Sequence, residues 1–211
     1  MRFDSFRDRL SARLTAAPVS APSFEAEPRH ASVVAIFRRA PHGGAPPGLE
    51  GVEPGEPELL FIRRAEVPGD PWSGHVAFPG GRMDPGDDGH LGTGLREVRE
   101  EIDLDLTVHG SILGELPGQL TLPQLGRQMV VHPFVAALDI LPPLTPDPVE
   151  VARILWVPWR HLVDGEGQGT MEWEWKGRSL ELPCRRLQGE VLWGMTQRMV
   201  EDLIGVWQHR G

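Results

Sequence analysis

The segment of residues 78–103 reads FPGGRMDPGDDGHLGTGLREVREEID and carries the most specific pattern of the chain. Its first half turns through Gly80 and Gly81, and glycines allow the backbone to approach a ligand closely. In its second half, apolar residues recur at spacings of four, three and four: Leu91, Leu95, Val98 and Ile102. This period predicts an amphipathic helix over Leu91–Ile102 with one apolar stripe buried against a sheet.

Three glutamates of the predicted helix, Glu97, Glu100 and Glu101, fall on the side opposite the apolar stripe. Their placement is locally unfavourable, because Glu97 and Glu101 are like charges one turn apart and the helix dipole disfavours anions in the last turns. Hard divalent cations such as Mg²⁺ or Mn²⁺ require clustered oxygen ligands and are the usual partners of phosphate oxygens. The pattern therefore predicts a Mg²⁺ or Mn²⁺ site, and the alternative is a solvated helix face.

The glycine turn and the helix together resemble the Nudix box, whose pattern is Gly, five residues, Glu, seven residues, then Arg-Glu-apolar-x-Glu-Glu-x-Gly-apolar. Counting back seven residues from Arg96 places Asp88 at the loop Glu, with six residues rather than five after Gly81. Asp103 stands at the late Gly. The longer loop is similar to the coenzyme A pyrophosphatase branch of the Nudix superfamily. Further segments resemble that branch and extend the resemblance over roughly residues 31 to 205: Arg64-Ala65, Gly74, Glu150-Val151, Trp156-Val157-Pro158 and Trp193-Gly194-Met195-Thr196.

The resemblance implies a metal site with bound Mg²⁺ or Mn²⁺ and a catalytic base nearby. Glu97, Glu100 and Glu101 would hold the metal, with the backbone carbonyl of Gly81 as a further ligand. The general base stays open between Glu97, Glu100 and a loop carboxylate such as Glu150. A box glutamate is the favoured base.

Other charged residues are predicted to support this site. Arg96 lies one turn before a box glutamate and either orients it by a charge-assisted hydrogen bond or forms an ordinary surface ion pair. Asp88 either caps the helix through its side chain or adds to the metal shell. Arg63, Arg64 and Arg82 are candidates to bind the distal phosphate or the 3′-phosphate of a substrate similar to coenzyme A.

The function implied by the resemblance is metal-dependent hydrolysis of the diphosphate bond of coenzyme A or a related nucleotide derivative. One alternative is a broader house-cleaning hydrolase acting on NADH, ADP-ribose or oxidised nucleoside triphosphates. The other is a catalytically silent module that senses a nucleotide. The retained box glutamates and arginine disfavour the silent module, because nucleotide sensing alone would not need them.

The chain as a whole is expected to have an α/β (α+β) fold, a Nudix-like α/β/α sandwich with a mixed central β-sheet flanked by helices. Residues 1–28 are predicted to form an N-terminal helix and linker, and residues 29–211 a single Nudix hydrolase domain. The helix packs on the domain or on a partner chain. A final helix is predicted over Glu190–Trp207. The predicted strands are Ala31–Phe37, Leu59–Ile62, Val76–Phe78, Ile112–Leu116, Val130–Leu138, Ile154–Val157 and a hairpin of Glu172–Trp175 with Ser179–Leu182.

The composition of the chain limits the kinds of partner that we expect it to bind. The net charge is -9 and the basic residues form no run, so a nucleic acid polymer is not an expected partner. Cys184 is the single cysteine, which permits no intramolecular disulfide and favours a reducing, cytoplasmic setting. The sequence has no stretch of about 18 apolar residues, so a membrane is not an expected partner. The tryptophans fit a core or a dimer seam, so a homodimer is one expectation.

Overall fold

The computed structural model describes residues 1–16, 29–41, 53–70, 72–121, 128–175 and 177–208, and the linker predicted for residues 17–28 lies outside them. The helices are α1 (Phe3–Ala16), α2 (Gly89–Ile102), α3 (Leu106–His109), α4 (Trp159–Val163) and α5 (Gly194–Gln208). The strands are β1 (Arg29–Arg39), β2 (Pro57–Arg64), β3 (Val76–Ala77), β4 (Gly80–Arg82), β5 (Gly110–Glu115), β6 (Gln119–Leu120), β7 (Met129–Leu138), β8 (Val151–Pro158), β9 (Gln168–Trp175), β10 (Arg178–Leu187) and β11 (Glu190–Trp193).

Strand β1 lies in the middle of a mixed sheet. The strands are hydrogen-bonded in the order β3-β2-β1-β7-β5, with β4 also paired to β1, β8 to β2 and β6 to β7. β1 and β7 run parallel, whereas the neighbouring pairs on either side are antiparallel. A second sheet has the order β11-β10-β9. The mixed central sheet that the sequence predicted is confirmed.

Alternate residues of β1 enter two separate cores, because successive side chains of a strand point to opposite faces. Phe37 faces one core, to which α1, α4 and α5 contribute. Ile36 faces the other, which α2 covers with Val98 and Ile102. Helices therefore flank both faces of the sheet, as predicted. Among the described residues, no helix is long and apolar enough to cross a membrane.

Helix α1 packs on the core of its own chain. Its buried side chains are Phe3, Phe6, Leu10 and Leu14. The Phe6 ring lies 4.8 Å from that of Phe37 and 5.0 Å from that of Trp207, centroid to centroid. The apolar stripe of α1 is therefore already covered by β1 and α5, so the first of the two predicted packing modes is the one observed.

The predicted final helix is wrong over its first four residues, which form β11. Gln188 and Gly189 both adopt positive φ, 51° and 84°, and turn the chain so that Glu190 pairs with Leu187 of β10. Two-residue turns of this conformation match the twist of a hairpin. The helix begins only at Gly194. Local apolar spacing did not reveal the turn, since the residues on both sides also fit a helical period.

Candidate active site

The Gly80-Gly81 turn brings the backbone against α2. In the antiparallel pairing of β4 with β1, Gly80 lies opposite Val33 and Gly81 opposite Ser32. A Cβ on Gly80 would lie 2.1 Å from the carbonyl oxygen of Ser32, and one on Gly81 would lie 2.5 Å from the carboxylate of Glu97. Only glycine fits at Gly80, where the obstacle is the backbone of β1, whereas a Cβ on Gly81 would have to displace the side chain of Glu97. The turn therefore contacts Glu97 directly.

Helix α2 confirms the helix predicted over Leu91–Ile102 and begins at Gly89. It ends at Asp103, which adopts the left-handed conformation with φ 55° and donates its backbone N–H to the carbonyl of Arg99 at 3.0 Å. Glycine is the usual residue in this conformation, and Asp tolerates it better than most. The geometry explains why the box pattern has Gly where this chain has Asp103.

Glu101 is buried, so the prediction that all three glutamates lie opposite the apolar stripe is wrong. Its exposed fraction is 1%, and its Oε2 accepts a hydrogen bond of 2.8 Å from the backbone N–H of Gly80. Successive residues are about 100° apart around a helix, so four residues make one full turn and about 40° more. Glu101 therefore lies about 40° from Glu97, on the side towards the buried Val98. Burial, reinforced by the nearby charge of Glu97, raises the pKa of Glu101 to about 8.

Glu97 and Glu100 differ in exposure although both contact Arg96. The side chain of Glu97 is 13% exposed and that of Glu100 is 60% exposed. Nη1 of Arg96 lies 2.9 Å from an oxygen of each carboxylate, which includes the predicted contact with Glu100. Burial raises the pKa of Glu97, the charges of Glu100 and Glu150 add to this, and Arg96 opposes it.

Asp87, which the sequence did not single out, is a major partner of Arg96. Its two carboxylate oxygens accept hydrogen bonds from Nε and Nη2 of Arg96 at 2.7 and 3.1 Å. Thr93 Oγ1 and the N–H of Asp84 also donate to it, at 2.9 and 2.8 Å. The Arg96 guanidinium holds the pKa of Asp87 well below its usual range.

Asp88 is exposed, and its side chain accepts no capping hydrogen bond from the described residues, so the predicted cap is wrong.

Residues 49–178 match the family model described as the NUDIX domain. The chain belongs to the Nudix hydrolase family. NudL of Photorhabdus laumondii, named an uncharacterized Nudix hydrolase, is 30% identical over 151 residues, which cover 70% of this chain and 76% of the relative. The human mitochondrial coenzyme A diphosphatase NUDT8 is 32% identical over 150 residues, which cover 70% of this chain and 61% of the human protein.

The fold of a solved Nudix hydrolase agrees with that of this chain. A crystal structure of the Alicyclobacillus acidocaldarius protein aligns with a TM-score of 0.54 and 18% identity, over 86% of this chain and 93% of that one. At this identity the likeness shows the shared fold alone. The mixed sheet flanked by helices is thus the Nudix fold.

In this Nudix hydrolase, two of the arginines predicted to bind substrate already have acidic partners. Arg63 lies 2.7 Å from a carboxylate oxygen of Glu66. Arg64 lies 3.5 Å from one of Asp70, and its positive charge opposes the raised pKa of Glu101. Arg64 is therefore within electrostatic reach of the box, whereas Arg63 is paired with both Glu66 and Glu190.

Arg82 and Glu150 lie on the surface around the Nudix box. Arg82 is exposed, and its backbone carbonyl accepts a hydrogen bond of 2.9 Å from Nη2 of Arg96. Glu150 is exposed too, and its charge contributes to the raised pKa values of Glu97 and Glu101. The structure thus brings Glu150 close to the box glutamates although it is 49 residues away from Glu101 in the sequence.

The side chains of the box suit the divalent metal ions that Nudix hydrolases generally need. Glu97 and Glu101 offer carboxylate oxygens, the donors that hard cations prefer. Burial and the charges of neighbouring glutamates raise the pKa values of both, so their ionised forms are poorly stabilised by the protein itself. A nearby cation would favour those ionised forms. The donor set and its electrostatics therefore fit a metal.

Proposed function

We propose that this Nudix hydrolase uses Mg²⁺ or Mn²⁺ to cleave the diphosphate bond of coenzyme A or a related nucleotide derivative. The observation that carries the proposal is the acidic cluster of α2 held against the glycine turn, with Glu101 buried beneath Gly80 and Glu97 against Gly81. The similarity to the human coenzyme A diphosphatase supports the substrate. Small nucleotide derivatives also suit a chain of net charge -9 better than a nucleic acid polymer does.

The metal ligands in this proposal are Glu97, Glu100 and Glu101, with the carbonyl of Gly81. When bound, a divalent cation supplies charge neutralisation at the phosphate oxygens and activates water for attack on phosphorus. Glu101 is fixed in direction by the N–H of Gly80. Arg96 positions the exposed carboxylate of Glu100, because its Nη1 donates to it at 2.9 Å.

A box glutamate takes the proton from the attacking water. Glu100 is exposed and oriented by Arg96, and Glu97 lies beside it in a less polar setting. Glu150 is the alternative base, since its charge already acts on Glu97. Separate Glu→Gln variants at the three positions distinguish them, because loss of the base lowers kcat and removes the acidic limb of the pH–rate profile.

Arginines hold the substrate phosphates in this proposal, because a planar guanidinium binds phosphate oxygens in pairs. Arg82 is exposed beside the glycine turn, and Arg64 acts on the box electrostatically. Arg63 joins them only by leaving two carboxylates, the solvent-exposed Glu66 and the less exposed Glu190. Asp88 is exposed just before α2 and is a further metal ligand.

The deciding experiment is a product-resolved assay with Mg²⁺ and with Mn²⁺ against coenzyme A, NADH, ADP-ribose and nucleoside triphosphates. Glu100→Gln and Glu101→Gln are compared with Glu172→Gln, an exposed glutamate of β9. Release of 3′,5′-ADP and 4′-phosphopantetheine, lost only in the two box variants, supports the proposal. Cleavage of another compound assigns the broader house-cleaning activity. Metal-independent binding without cleavage of anything assigns the nucleotide-sensing module.

The proposed setting is cytoplasmic, and the proposed assembly is a homodimer. The single cysteine, Cys184, is buried and free, as a protein of a reducing compartment allows. Cell fractionation tests the location, and light scattering coupled to size-exclusion chromatography tests the assembly. A monomer mass would remove the homodimer from the proposal.

A further inference from the structure

Three histidines from distant parts of the chain meet beside the N-terminal end of α2. His30 lies on β1, His90 is the second residue of α2, and His132 lies on β7. All three are half-buried, and one potential ligand atom of each lies within 4.8 Å of those of the other two. His30 and His132 lie outside the Nudix box, and His90 is one of the seven residues between Asp88 and Arg96, where the box pattern specifies no residue type.

The imidazole nitrogens lie close enough together to converge on a single metal ion once one ring tilts. Nδ1 of His30 lies 3.0 Å from Nε2 of His132. Zinc–nitrogen bonds of about 2.0–2.1 Å in a tetrahedral site place neighbouring nitrogens about 3.3 Å apart. The His90 ring stacks on the His132 ring at 3.7 Å between centroids and 9° between planes. Stacked rings direct their lone pairs in parallel, so one of the two has to tilt when a metal binds.

The unused nitrogens of the cluster also point to a cation. Nδ1 of His90 is buried and has no hydrogen-bond partner within the described part of the chain. Nδ1 of His132 lies 3.5 Å from Oε1 of Glu115. A carboxylate behind a metal-binding histidine fixes the tautomer and the ring orientation, and such pairs are common in zinc sites.

The protonation state of His132 suits a ligand role. Burial, with His90 and His30 nearby, lowers the pKa of His132 to about 4. The imidazole is therefore neutral at pH 7, and neutral imidazole is the form that binds metals.

We propose that His30, His90 and His132 form a second metal site that binds a Zn²⁺-class transition-metal cation, with Glu115 as the orienting carboxylate behind His132. Imidazole donors favour Zn²⁺, Ni²⁺ or Cu²⁺, whereas carboxylate and carbonyl donors suit Mg²⁺ and Mn²⁺. The two sites therefore select different metals. This proposal does not depend on the substrate or the activity proposed above.

The bound ion would link the helix of the Nudix box to the sheet. His90 opens α2, six residues before Arg96. His30 is on the central strand, and its carbonyl accepts a hydrogen bond of 3.0 Å from the N–H of Met83, just beyond the glycine turn. A metal on these side chains would join α2, β1 and β7 at one point and stabilise the folded state by its binding free energy.

The test is Zn²⁺ titration by calorimetry of the full-length, tag-free protein in excess Mg²⁺, which saturates the oxygen site. We expect binding of about one equivalent of Zn²⁺. His30→Asn, His90→Asn and His132→Asn each weaken it by roughly 100-fold or more, and Glu115→Gln by roughly tenfold. His109→Asn, in α3, is the matched control and binds as the wild type does.

Two further measurements separate the test of this metal site from misfolding of the variants and from the test of the hydrolase proposal. Co²⁺ in place of Zn²⁺ gives the visible absorption of a tetrahedral nitrogen site in the wild type, which needs no variant to fold. Glu97→Gln alters the box and leaves Zn²⁺ affinity unchanged, so a failed hydrolase proposal does not affect this one. The proposal is overturned if the wild type does not bind Zn²⁺, or if the three histidine variants bind it as tightly as the wild type.

Discussion

Arg96 and Asp87 are joined by two hydrogen bonds, from Nε to Oδ1 at 2.7 Å and from Nη2 to Oδ2 at 3.1 Å. An arginine that donates two hydrogen bonds to one carboxylate is held more strongly and more directionally than in a single ion pair. The pair anchors the loop before α2 to the helix. It also orients the arginine whose Nη1 contacts Glu97 and Glu100.

Asp87→Asn is expected to lower both stability and activity. The change removes the ionised acceptor of Arg96 and of the N–H of Asp84, and hydrogen bonds to charged groups contribute roughly 1.5–3 kcal/mol each. We expect a loss of about 2 kcal/mol in the free energy of unfolding, measured with urea at pH 7. The neighbouring exposed Asp88→Asn is the control and should change it by less than about 0.5 kcal/mol. Equal losses in the two variants would contradict the assigned role of Asp87.

Gly81→Ala is expected to displace Glu97 with little loss of stability. The added methyl group would lie 2.5 Å from the carboxylate, so the side chain of Glu97 has to move. A misplacement of about 1 Å at a reacting centre can cost roughly 100-fold in rate. The control is Gly86→Ala, because no described atom lies within 4 Å of the position that its added methyl group would take and its φ is not positive. The measurement is the steady-state kcat of both variants with Mg²⁺. Full activity of Gly81→Ala would contradict the expected displacement of Glu97.

The metal-free protein is expected to lose stability as the pH rises from 5 to 8. The pKa of Glu101 is about 8 in the folded state and about 4.3 in an unfolded chain. At a pH between these two pKa values, Glu101 is protonated in the folded state and ionised in the unfolded state. The folded state then binds more protons, so the free energy of unfolding falls as the pH rises.

This slope is measured by urea unfolding in EDTA across that pH range. Glu101→Gln, which cannot ionise, should show a flatter profile, whereas Glu172→Gln should retain the slope of the wild type. Addition of Mg²⁺ should reduce the slope, because a cation offsets the charge of ionised Glu101. Parallel profiles of the wild type and Glu101→Gln would show that Glu101 does not titrate in this range.

Phe6→Ala is expected to destabilise the whole domain rather than release α1 alone. Phe6 is fully buried against Phe37 and Trp207, and removing such a ring typically costs about 3–5 kcal/mol. Val149→Ala, at a position 71% exposed, is the control, with an expected change below about 0.5 kcal/mol. A single cooperative unfolding transition, shifted to lower urea, is the expected result. Two separate transitions would show that α1 unfolds independently.

Several features of the site follow from local spacing alone. The apolar period before Ile102 predicted α2, and the observed helix confirms it. The sequence predicted that Gly80 and Gly81 turn the chain before the helix, and in the structure both lie in β4, directly before the loop that leads into α2. Helical geometry also explains the contact of Arg96 with Glu100, because residues four apart lie on the same side of a helix.

Other features required the folded chain. The pairing of Asp87 with Arg96 has no local signature, since it depends on how the loop before α2 returns to the helix. The burial of Glu101 depends both on its position around the helix and on the packing of β4 against it. The turn at Gln188 and Gly189 also required the folded chain. The strand after it, β11, and the helix that follows, α5, have similar apolar patterns, so the sequence did not separate them.

The amino-acid sequence alone was sufficient for the family, the mixed sheet with flanking helices and the helix with the acidic residues, because these depend on periods and motifs within a few residues. The tertiary structure alone brought His30, His90 and His132 together. The parallel register of β1 and β7 pairs Ser32 with His132, and the packing of α2 on that sheet adds His90. Such meetings depend on strand register and helix docking, which are set by the burial of the whole core and not by any one segment.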